Sequence, residues 1–302
     1  MRTASLGEGP PSDQAAPVEP LSTNAQIAEL FEQAAMLLDQ QGASPFRAGA
    51  YRRAAQSLRA LDRDLRSIAG EAGREGLMAI PGVGVSLASA IEEILRTGRW
   101  MQLERLRGAA DPEGLFQTIA GIGPELARRI HETLHVDTLE ALEVTAHDGR
   151  LQAVPGIGAR RAAAIRTLLS GMLQRVRGAQ RQPQEEPEVR LLLDVDREYR
   201  GSALADRLPK IAPKRFNPSG EAWLPILHTE RGGWHFTALY SNTARAHELH
   251  KIRDWVVIYF YRDNQPEGQR TIVTETRGAL AGRRVVRGRE ADCRAVTAET
   301  HG

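Results

Sequence analysis

The amino-terminal half of the chain carries apolar residues at the spacing of amphipathic helices. The first such stretch contains Ile27, Leu30, Phe31, Ala34, Leu37 and Leu38. Gly42 follows where a helix would end, and Ser44 and Pro45 have the residue types of an N-cap and a first helical position. Because this periodicity continues to about residue 176, we predict an all-α half.

A short motif occurs three times in that half, each time before a helix-like stretch. Its pattern is apolar, small or Pro, Gly, apolar, Gly, and the copies are Ile80–Gly84, Ile119–Gly123 and Val154–Gly158. The spacing is that of one helical hairpin plus a connecting helix. The repeat predicts three helix-hairpin-helix units.

A Gly-apolar-Gly turn between two helices suits contact with phosphate. Glycines allow left-handed dihedral angles and a close approach of another backbone, and the next helix begins with unpaired N–H groups. We expect the apolar residue to point inward. The candidate contact residues are Gly82, Val83, Gly84, Gly121, Ile122, Gly123, Gly156, Ile157 and Gly158. Arg160 and Arg161 make the third copy the most basic, whereas Pro124 removes one N–H group from the second.

The pattern changes after residue 188. Ten of the 15 aromatic residues follow this position. Runs typical of β-strands are Trp223–His228, Trp234–Tyr240, Trp255–Tyr261, Thr271–Thr276 and Arg284–Arg287. We therefore predict an α+β protein of several domains: a leader at 1–20, helical domains at 21–100 and 101–175, a linker at 176–187, and a mainly antiparallel β domain at 188–302.

Composition limits the class of protein. The chain has 302 residues, 41% hydrophobic and 26% charged, as in an ordinary globular protein. Between residues 21 and 175 there are 18 Arg, no Lys and 18 acidic residues, so that binding to DNA must come from local geometry. One cysteine, Cys293, excludes an internal disulfide. The leader lacks an apolar run, so we expect no signal peptide, no membrane contact and a cytoplasmic location.

Residues 24 to about 170 resemble the lyase and fingers-type domains of family X DNA polymerases, the DNA polymerase beta family. The matching stretches are Pro45-Phe-Arg-Ala-Gly-Ala-Tyr-Arg-Arg-Ala-Ala55, Ile80-Pro-Gly-Val-Gly84 with Ile91-Glu-Glu-Ile-Leu-Arg-Thr-Gly98, and Ile119-Ala-Gly-Ile-Gly-Pro-Glu-Leu-Ala127. The resemblance implies a preference for nicked or gapped DNA and a monovalent cation held by hairpin carbonyls. It also places Arg47 and Tyr51 at a pocket for a 5′-phosphate.

The enzymatic groups of that family are missing. Its lyase lysine belongs after the first hairpin, where this chain has Ser86, Ser89 and Ala90, and Lys210 is the first lysine. Arginine cannot form the Schiff base because it stays protonated. Asp194 and Asp196 are the nearest match to the metal-binding aspartates of the polymerase, but they lack the preceding glycine-arginine turn. We expect both on a solvated helix, and no polymerase or lyase activity.

The carboxyl-terminal domain offers three candidates for a site. His235, His247 and Arg245 could serve a nuclease or phosphodiesterase, and His247 and His250 could share a helix face and a metal ion. A third candidate is a basic, aromatic surface for nucleic acid. Its residues are Arg283, Arg284, Arg287, Arg289 and Arg294, with Trp255, Tyr259, Phe260 and Tyr261.

Three functions remain open from the sequence. The favoured one is sequence-independent DNA binding in repair, with DNA as the partner and no required cofactor. A nuclease with a catalytic carboxyl-terminal domain is the second. The third is a protein-interaction scaffold, which the neutral charge of the helical half would suit but which has no need of exposed glycine pairs.

Overall fold

The computed structural model describes residues 22–177, 185–262, 265 and 267–299. The expected leader at 1–20 lies outside these residues, as do residues 178–184 of the expected linker. The described chain consists of a helical half followed by an antiparallel sheet with flanking helices, so that the predicted fold class is confirmed.

Nine α-helices form the described part of the helical half. They are α1 (Thr23–Gln40), α2 (Pro45–Arg59), α3 (Leu65–Met78), α4 (Val85–Thr97), α5 (Met101–Leu106), α6 (Pro112–Phe116), α7 (Pro124–Leu134), α8 (Leu139–His147) and α9 (Ala159–Arg177), with a 3₁₀ turn at Arg150–Ala153. Gly42, just after α1, has a φ of 70°, and Ser44 is the N-cap of α2. Both boundaries agree with the sequence signals.

The carboxyl-terminal part contains helix α10, then strands with two further helices. The elements are α10 (Val189–Leu204), β1 (Lys210–Ile211), β2 (Leu224–Arg231), β3 (Trp234–Tyr240), α11 (Ala244–Glu248), β4 (Val256–Tyr261), β5 (Gly268–Thr274), β6 (Arg284–Val286) and α12 (Glu290–Glu299), with a 3₁₀ turn at Gly278–Leu280. The six strands are antiparallel and follow sequence order. Strand β1 has two residues, too few to show the alternating hydrophobic pattern of a strand.

Two hydrophobic cores hold the chain together. One core contains residues of the four helices α1, α2, α3 and α4, of helix α10 and of the sheet, together with Trp100, Leu103 and Leu106. The second and third hairpins separate the first four helices from α10 in sequence. The other core lies within residues 101 to 173 and contains the second and third hairpins. Within the described ranges, no helix has both the length and the apolar character needed to cross a membrane.

The sheet is covered on both faces. Helix α10 packs on one face, where the hydroxyl of Tyr199 donates to the carbonyl of Pro225 and accepts from the N–H of Tyr240. The other face turns polar side chains toward the helical half. There Thr237 and Tyr259 form a register pair, and Gln269 lies opposite Tyr259 on β5.

The two aspartates of α10 have different surroundings. Asp194 is exposed and pairs with Arg197 at 2.8 Å. Asp196 is buried, and both of its oxygens accept from Arg284, at 2.6 and 2.9 Å. The expectation of a solvated helix face is wrong for Asp196, because α10 lies on the sheet and turns this residue toward β6.

Candidate nucleic-acid interface

The three glycine turns have the same backbone geometry. In each, the N–H of the central apolar residue donates at 3.0 Å to the carbonyl three residues earlier, joining Val83 to Ile80, Ile122 to Ile119 and Ile157 to Val154. The first glycines, Gly82, Gly121 and Gly156, have φ of 80°, 85° and 86°. This left-handed conformation favours glycine over any other residue.

In every copy the apolar residue is buried and the two glycines are exposed. Val83, Ile122 and Ile157 are 5%, 4% and 4% exposed and belong to the two cores. All six flanking glycines are exposed. The apolar side chain therefore anchors the turn, and the glycine backbone is left at the surface.

The second glycine of each turn precedes a helix and needs no special conformation. Gly84 and Gly123 are the N-caps of α4 and α7, with φ of −86° and −84°, and neither helix start has a side-chain cap. Five other helices receive a side-chain bond to their first amides: α1, α3, α6, α8 and α11. The helices after the first two hairpins thus begin with N–H groups left for an external acceptor.

The second and third hairpins differ in charge and donors. Helix α7 begins with Pro124, which has no N–H group, followed by the exposed Glu125. Helix α9 begins with Ala159, followed by the exposed Arg160 and Arg161. A phosphate would therefore meet one donor fewer at the second turn and a glutamate that pairs with Arg128 at 2.8 Å, but two arginines at the third.

Arginines occupy carbonyl groups of the third turn. Arg129 donates to the carbonyl of Pro155 at 2.8 Å, and Arg161 donates to that of Gly156 at 3.2 Å. A monovalent cation at this turn would have to compete with both guanidinium groups for those oxygens. The corresponding carbonyls of the first turn have no such arginine bond among the contacts of the described residues.

Arg47 and Tyr51 lie in the interior instead of at a phosphate pocket. Arg47 is 5% exposed beneath the sheet, 3.2 Å from both Nδ1 of His228 and Oγ1 of Thr237. The hydroxyl of Tyr51 accepts from Gln102 at 2.8 Å. Burial lowers the pKa of His228 well below its usual value, and the charge of Arg47 adds to this. Neither residue is open to a 5′-phosphate in this arrangement, because the sheet covers α2.

The serines after the first hairpin line a small acidic cavity. Ser86 and Ser89 share it with Glu93, Glu140 and Glu267. Burial raises the pKa of Glu93 to about 8, against a hydrogen bond from the N–H of Met101 that lowers it. No lysine lines the cavity, and its basic residue is Arg96.

The three nuclease candidates are not brought together. His235 lies near the start of β3, 2.9 Å from Glu230, whereas His247 and Arg245 lie on α11 beyond the end of that strand. Seven strand residues extend about 20 Å. Helix α11 ends at Glu248, so that His250 does not share a helix face with His247. No cluster of three or more metal-ligating side chains occurs in the described part of the chain.

The expected basic surface near the carboxyl terminus is largely neutralised. Three of its arginines are in ion pairs: Arg284 with Asp196 and Asp254, Arg287 with Glu275, and Arg289 with Asp292. Three of its aromatic residues, Tyr259, Phe260 and Tyr261, are buried. They fill the sheet faces and are not exposed for stacking with bases.

A buried ionic network, not foreseen from the sequence, joins the second hairpin to the sheet. Nε2 of His131 is 2.8 Å from Asp137, and Nδ1 is 3.4 Å from Glu113. The hydroxyl of Tyr259 donates to Asp137, and the guanidinium of Arg105 lies 3.4 Å from the centre of the Tyr259 ring. These residues come from α5, α6, α7, β4 and the loop after α7, which carries Asp137, and their separation in sequence hid the network.

The network keeps His131 charged, and the nearby His135 is neutral. Burial alone would lower the pKa of His131, but hydrogen bonds with Asp137 and Glu113 outweigh burial and raise that pKa to about 9. Burial tends to raise the pKa of Asp137, and the bonds from His131 and Tyr259 lower it overall. Burial and the charge of His131 lower the pKa of His135 to about 4. This fixed charge pattern orients the hairpin tandem relative to the sheet.

Comparisons with known proteins agree with the geometry of the helical half. A model described as a helix-hairpin-helix domain matches residues 22–100, and one described as a SAM-like helix-hairpin-helix tandem matches residues 113–167. The chain is also 28% identical over 134 residues to the DNA polymerase/3'-5' exonuclease PolX of Bacillus subtilis (strain 168). That match covers 44% of this chain and 22% of the relative. The amino-terminal part is thus similar to the helix-hairpin-helix region of a family X DNA polymerase.

Proposed function

We propose that this chain binds DNA without sequence preference, by placing phosphates on the exposed helix starts of its hairpins. The observation that carries the proposal is the exposed Gly-apolar-Gly turn, repeated three times, with the amides of α4 and α7 left without a side-chain cap. Backbone N–H groups contact phosphate oxygens and read no bases. The matches to helix-hairpin-helix domains support DNA as the partner.

The third hairpin carries most of the phosphate binding in this proposal. Arg160 and Arg161 stand beside its helix start, and charge-assisted bonds to phosphate are the stronger ones. The first hairpin contributes amides of Val85 and Ser86. The second hairpin contributes least to phosphate binding, because Pro124 has no N–H group and Glu125 is acidic. Arg47 and Tyr51 are not part of this surface, since the sheet covers them.

The preferred substrate is nicked or gapped DNA, and the biological setting is DNA repair. Similarity to PolX over the helical half supports this choice. We propose neither polymerase nor lyase activity for this chain. The lyase amine has no candidate in the helical half, and Asp196 is occupied by Arg284. The cytoplasm is the compartment we expect for this function.

The two other functions have less support. A nuclease built on His235, His247 and Arg245 would need residues from opposite ends of β3 to meet. A scaffold would also need the first glycine of each turn for its left-handed conformation. It would gain nothing from the exposed Gly84, Gly123 and Gly158, because any residue could adopt their conformation at a lower entropy cost. Metal-dependent cleavage lost on changing His247 would favour the nuclease.

Fluorescence anisotropy of the full chain with intact, nicked, gapped and single-stranded DNA tests the proposal. We expect the tightest binding to gapped DNA, with a plot of log affinity against log salt that has a slope of about −2 to −5 for duplex forms, since each phosphate contributes roughly −0.9. Equal binding to all duplex forms would remove the gap preference and leave the hairpin function standing. Absence of binding to every form at low salt would overturn the proposal.

A further inference from the structure

A second surface combines one exposed aromatic ring and two partly buried ones with positive charge. Its rings are Phe216, in the turn after β1, Trp223, before β2, and His247 on α11; we name these three residues the aromatic patch. The ring centroids of Phe216 and His247 are 4.5 Å apart, and Trp223 stands perpendicular to His247 at 6.5 Å. Phe216 is 46% exposed, so that part of its ring is open to solvent.

The turn holds Phe216 outward in an unfavourable backbone conformation. Its φ is 53°, in the left-handed region that a bulky residue rarely adopts. The side chain of Asn242 fixes the surroundings: Nδ2 donates to the carbonyl of Arg215 at 2.9 Å, and Oδ1 is 2.6 Å from Nε2 of His247. Strain of this kind persists where neighbouring contacts impose it, and it concentrates at binding sites.

Positive charge gathers on the two segments that carry the aromatic patch. All three lysines of the chain, Lys210, Lys214 and Lys251, lie there. Lys214 is exposed and has no ion-pair partner among the described residues, whereas Lys210 pairs with Asp206, Lys251 with Asp254 and Arg245 with Glu248. The guanidinium of Arg215 lies 5.4 Å from the centre of the Phe216 ring and pairs with Glu113. An aromatic ring beside an unpaired lysine and an exposed arginine is the recognition chemistry of single-stranded nucleic acid.

A groove continues from the aromatic patch toward the junction of sheet and hairpins. Arg215 and Asn242 line it, together with Ser241 and Thr243. Its inner wall carries Tyr259 of the ionic network. The groove begins at Arg215 and Asn242, next to the aromatic patch, and reaches His131 of the second hairpin, the part of the helical half that we expect to bind phosphate least.

We propose that the aromatic patch binds unpaired nucleotides of DNA. A base stacks on the exposed part of the Phe216 ring, and the adjoining phosphates meet Lys214 and Arg245, whose pair with Glu248 is exposed to solvent. This inference rests on the proposed function only in taking DNA as the ligand, and it names a site that the hairpins do not contain. A protein partner fits less well, because an apolar partner would leave Lys214 desolvated and unpaired.

Binding of a labelled oligothymidylate to the full chain tests the aromatic patch. Phe216→Ala should weaken this binding about tenfold, as expected for loss of one base–aromatic stack. Phe216→Trp should retain it, since the ring face is kept. Phe46→Ala is the matched control, because Phe46 is 85% exposed on α2, away from the aromatic patch, and its removal should change nothing.

Binding of unpaired DNA to the aromatic patch and binding of duplex DNA to the hairpins can be lost independently of each other. Phe216→Ala should leave affinity for intact duplex unchanged, and its far-ultraviolet circular dichroism should match the wild type. Oligothymidylate binding that survives Phe216→Ala, or falls equally with Phe46→Ala, would overturn the inference. Loss confined to Phe216→Ala in a chain that binds no duplex would support the aromatic patch and refute the hairpin proposal.

Discussion

Gly158→Val is expected to lower affinity for intact duplex DNA about tenfold to a hundredfold, the range for losing a charge-assisted hydrogen bond. Gly158 precedes α9, beside Arg160 and Arg161, and its φ lies outside the left-handed region. A Cβ placed there meets no atom within 4 Å. The substitution therefore leaves the fold intact and obstructs only what approaches from outside. Anisotropy with labelled duplex measures the effect.

Gly123→Val is the matched control for that variant. Gly123 holds the same position in the second turn, has a φ of −84°, and is equally free of neighbours. We expect less than a twofold loss of affinity, because Pro124 and Glu125 already weaken phosphate binding there. Equal effects of the two variants would refute the ranking of the hairpins. Unchanged binding in both would show that the turns are structural.

The first glycines are poorer positions for this experiment. Gly82 and Gly156 have φ of 80° and 86°, so that a side chain strains the turn itself. A Cβ on Gly156 would also lie 2.9 Å from the guanidinium of Arg129. Loss of binding on substituting either residue would mix strain with obstruction, whereas Gly158 and Gly123 separate the two effects.

Arg284→Met is expected to lower the free energy of unfolding by about 3 to 5 kcal/mol, because it leaves a buried carboxylate without its partner. Arg284 donates twice to Asp196 and also to Asp254, at 2.7 Å. Its removal leaves Asp196 without a partner between α10 and the sheet, whereas Asp254 keeps Lys251 at 3.5 Å. Denaturant unfolding followed by tryptophan fluorescence measures this loss, since Trp234 and Trp255 lie in or beside the sheet.

Two further variants test whether burial of the charge causes this loss of stability. Asp196→Leu combined with Arg284→Met should recover part of the stability, because no unpaired charge then remains on α10. Asp194→Asn should change the unfolding free energy by less than about 1 kcal/mol, because its pair with Arg197 is exposed. A stable Arg284→Met protein would mean that the carboxylates reach solvent, and it would reopen Asp196 as a metal ligand.

The hairpins and most strands could be predicted because their signals are local. Each turn depends on two glycines and one apolar residue within five positions, and the structure repeats that geometry three times. Strand β3 coincides with its predicted run, Trp234–Tyr240. Strand β1 has two residues and is defined by pairing with Pro225 and Leu224, so that no pattern within it could have indicated a strand.

The packing of the sheet on the first helical unit was not predicted, although one signal was present. Val256–Tyr261 is an unbroken run of apolar and aromatic residues, and every residue in it is buried. Such a run is typical of a strand covered on both faces. It indicated a second layer over the sheet, and that layer is the helical half, which buries Arg47 against Thr237.

The ionic contacts of the junction and of α10 could not be inferred from spacing. Asp137 meets Tyr259 and Asp196 meets Arg284 across long stretches of chain. Local periodicity assigns a charged residue to a helix face, but it does not say what covers that face. The pocket expected at Arg47 and Tyr51 came from the family resemblance, which does not show that the sheet of this chain covers α2.

Hydrogen–deuterium exchange of the full chain, with and without gapped duplex, tests most directly whether the hairpin amides hold DNA. The first amides of α4 and α9 have no helical partner and should exchange rapidly in the free protein. We expect DNA to slow exchange in the peptides that cover Gly82–Leu87 and Gly156–Ala162, with a smaller change at Gly121–Ala127. Unchanged exchange at all three turns in a chain that binds DNA would contradict this expectation.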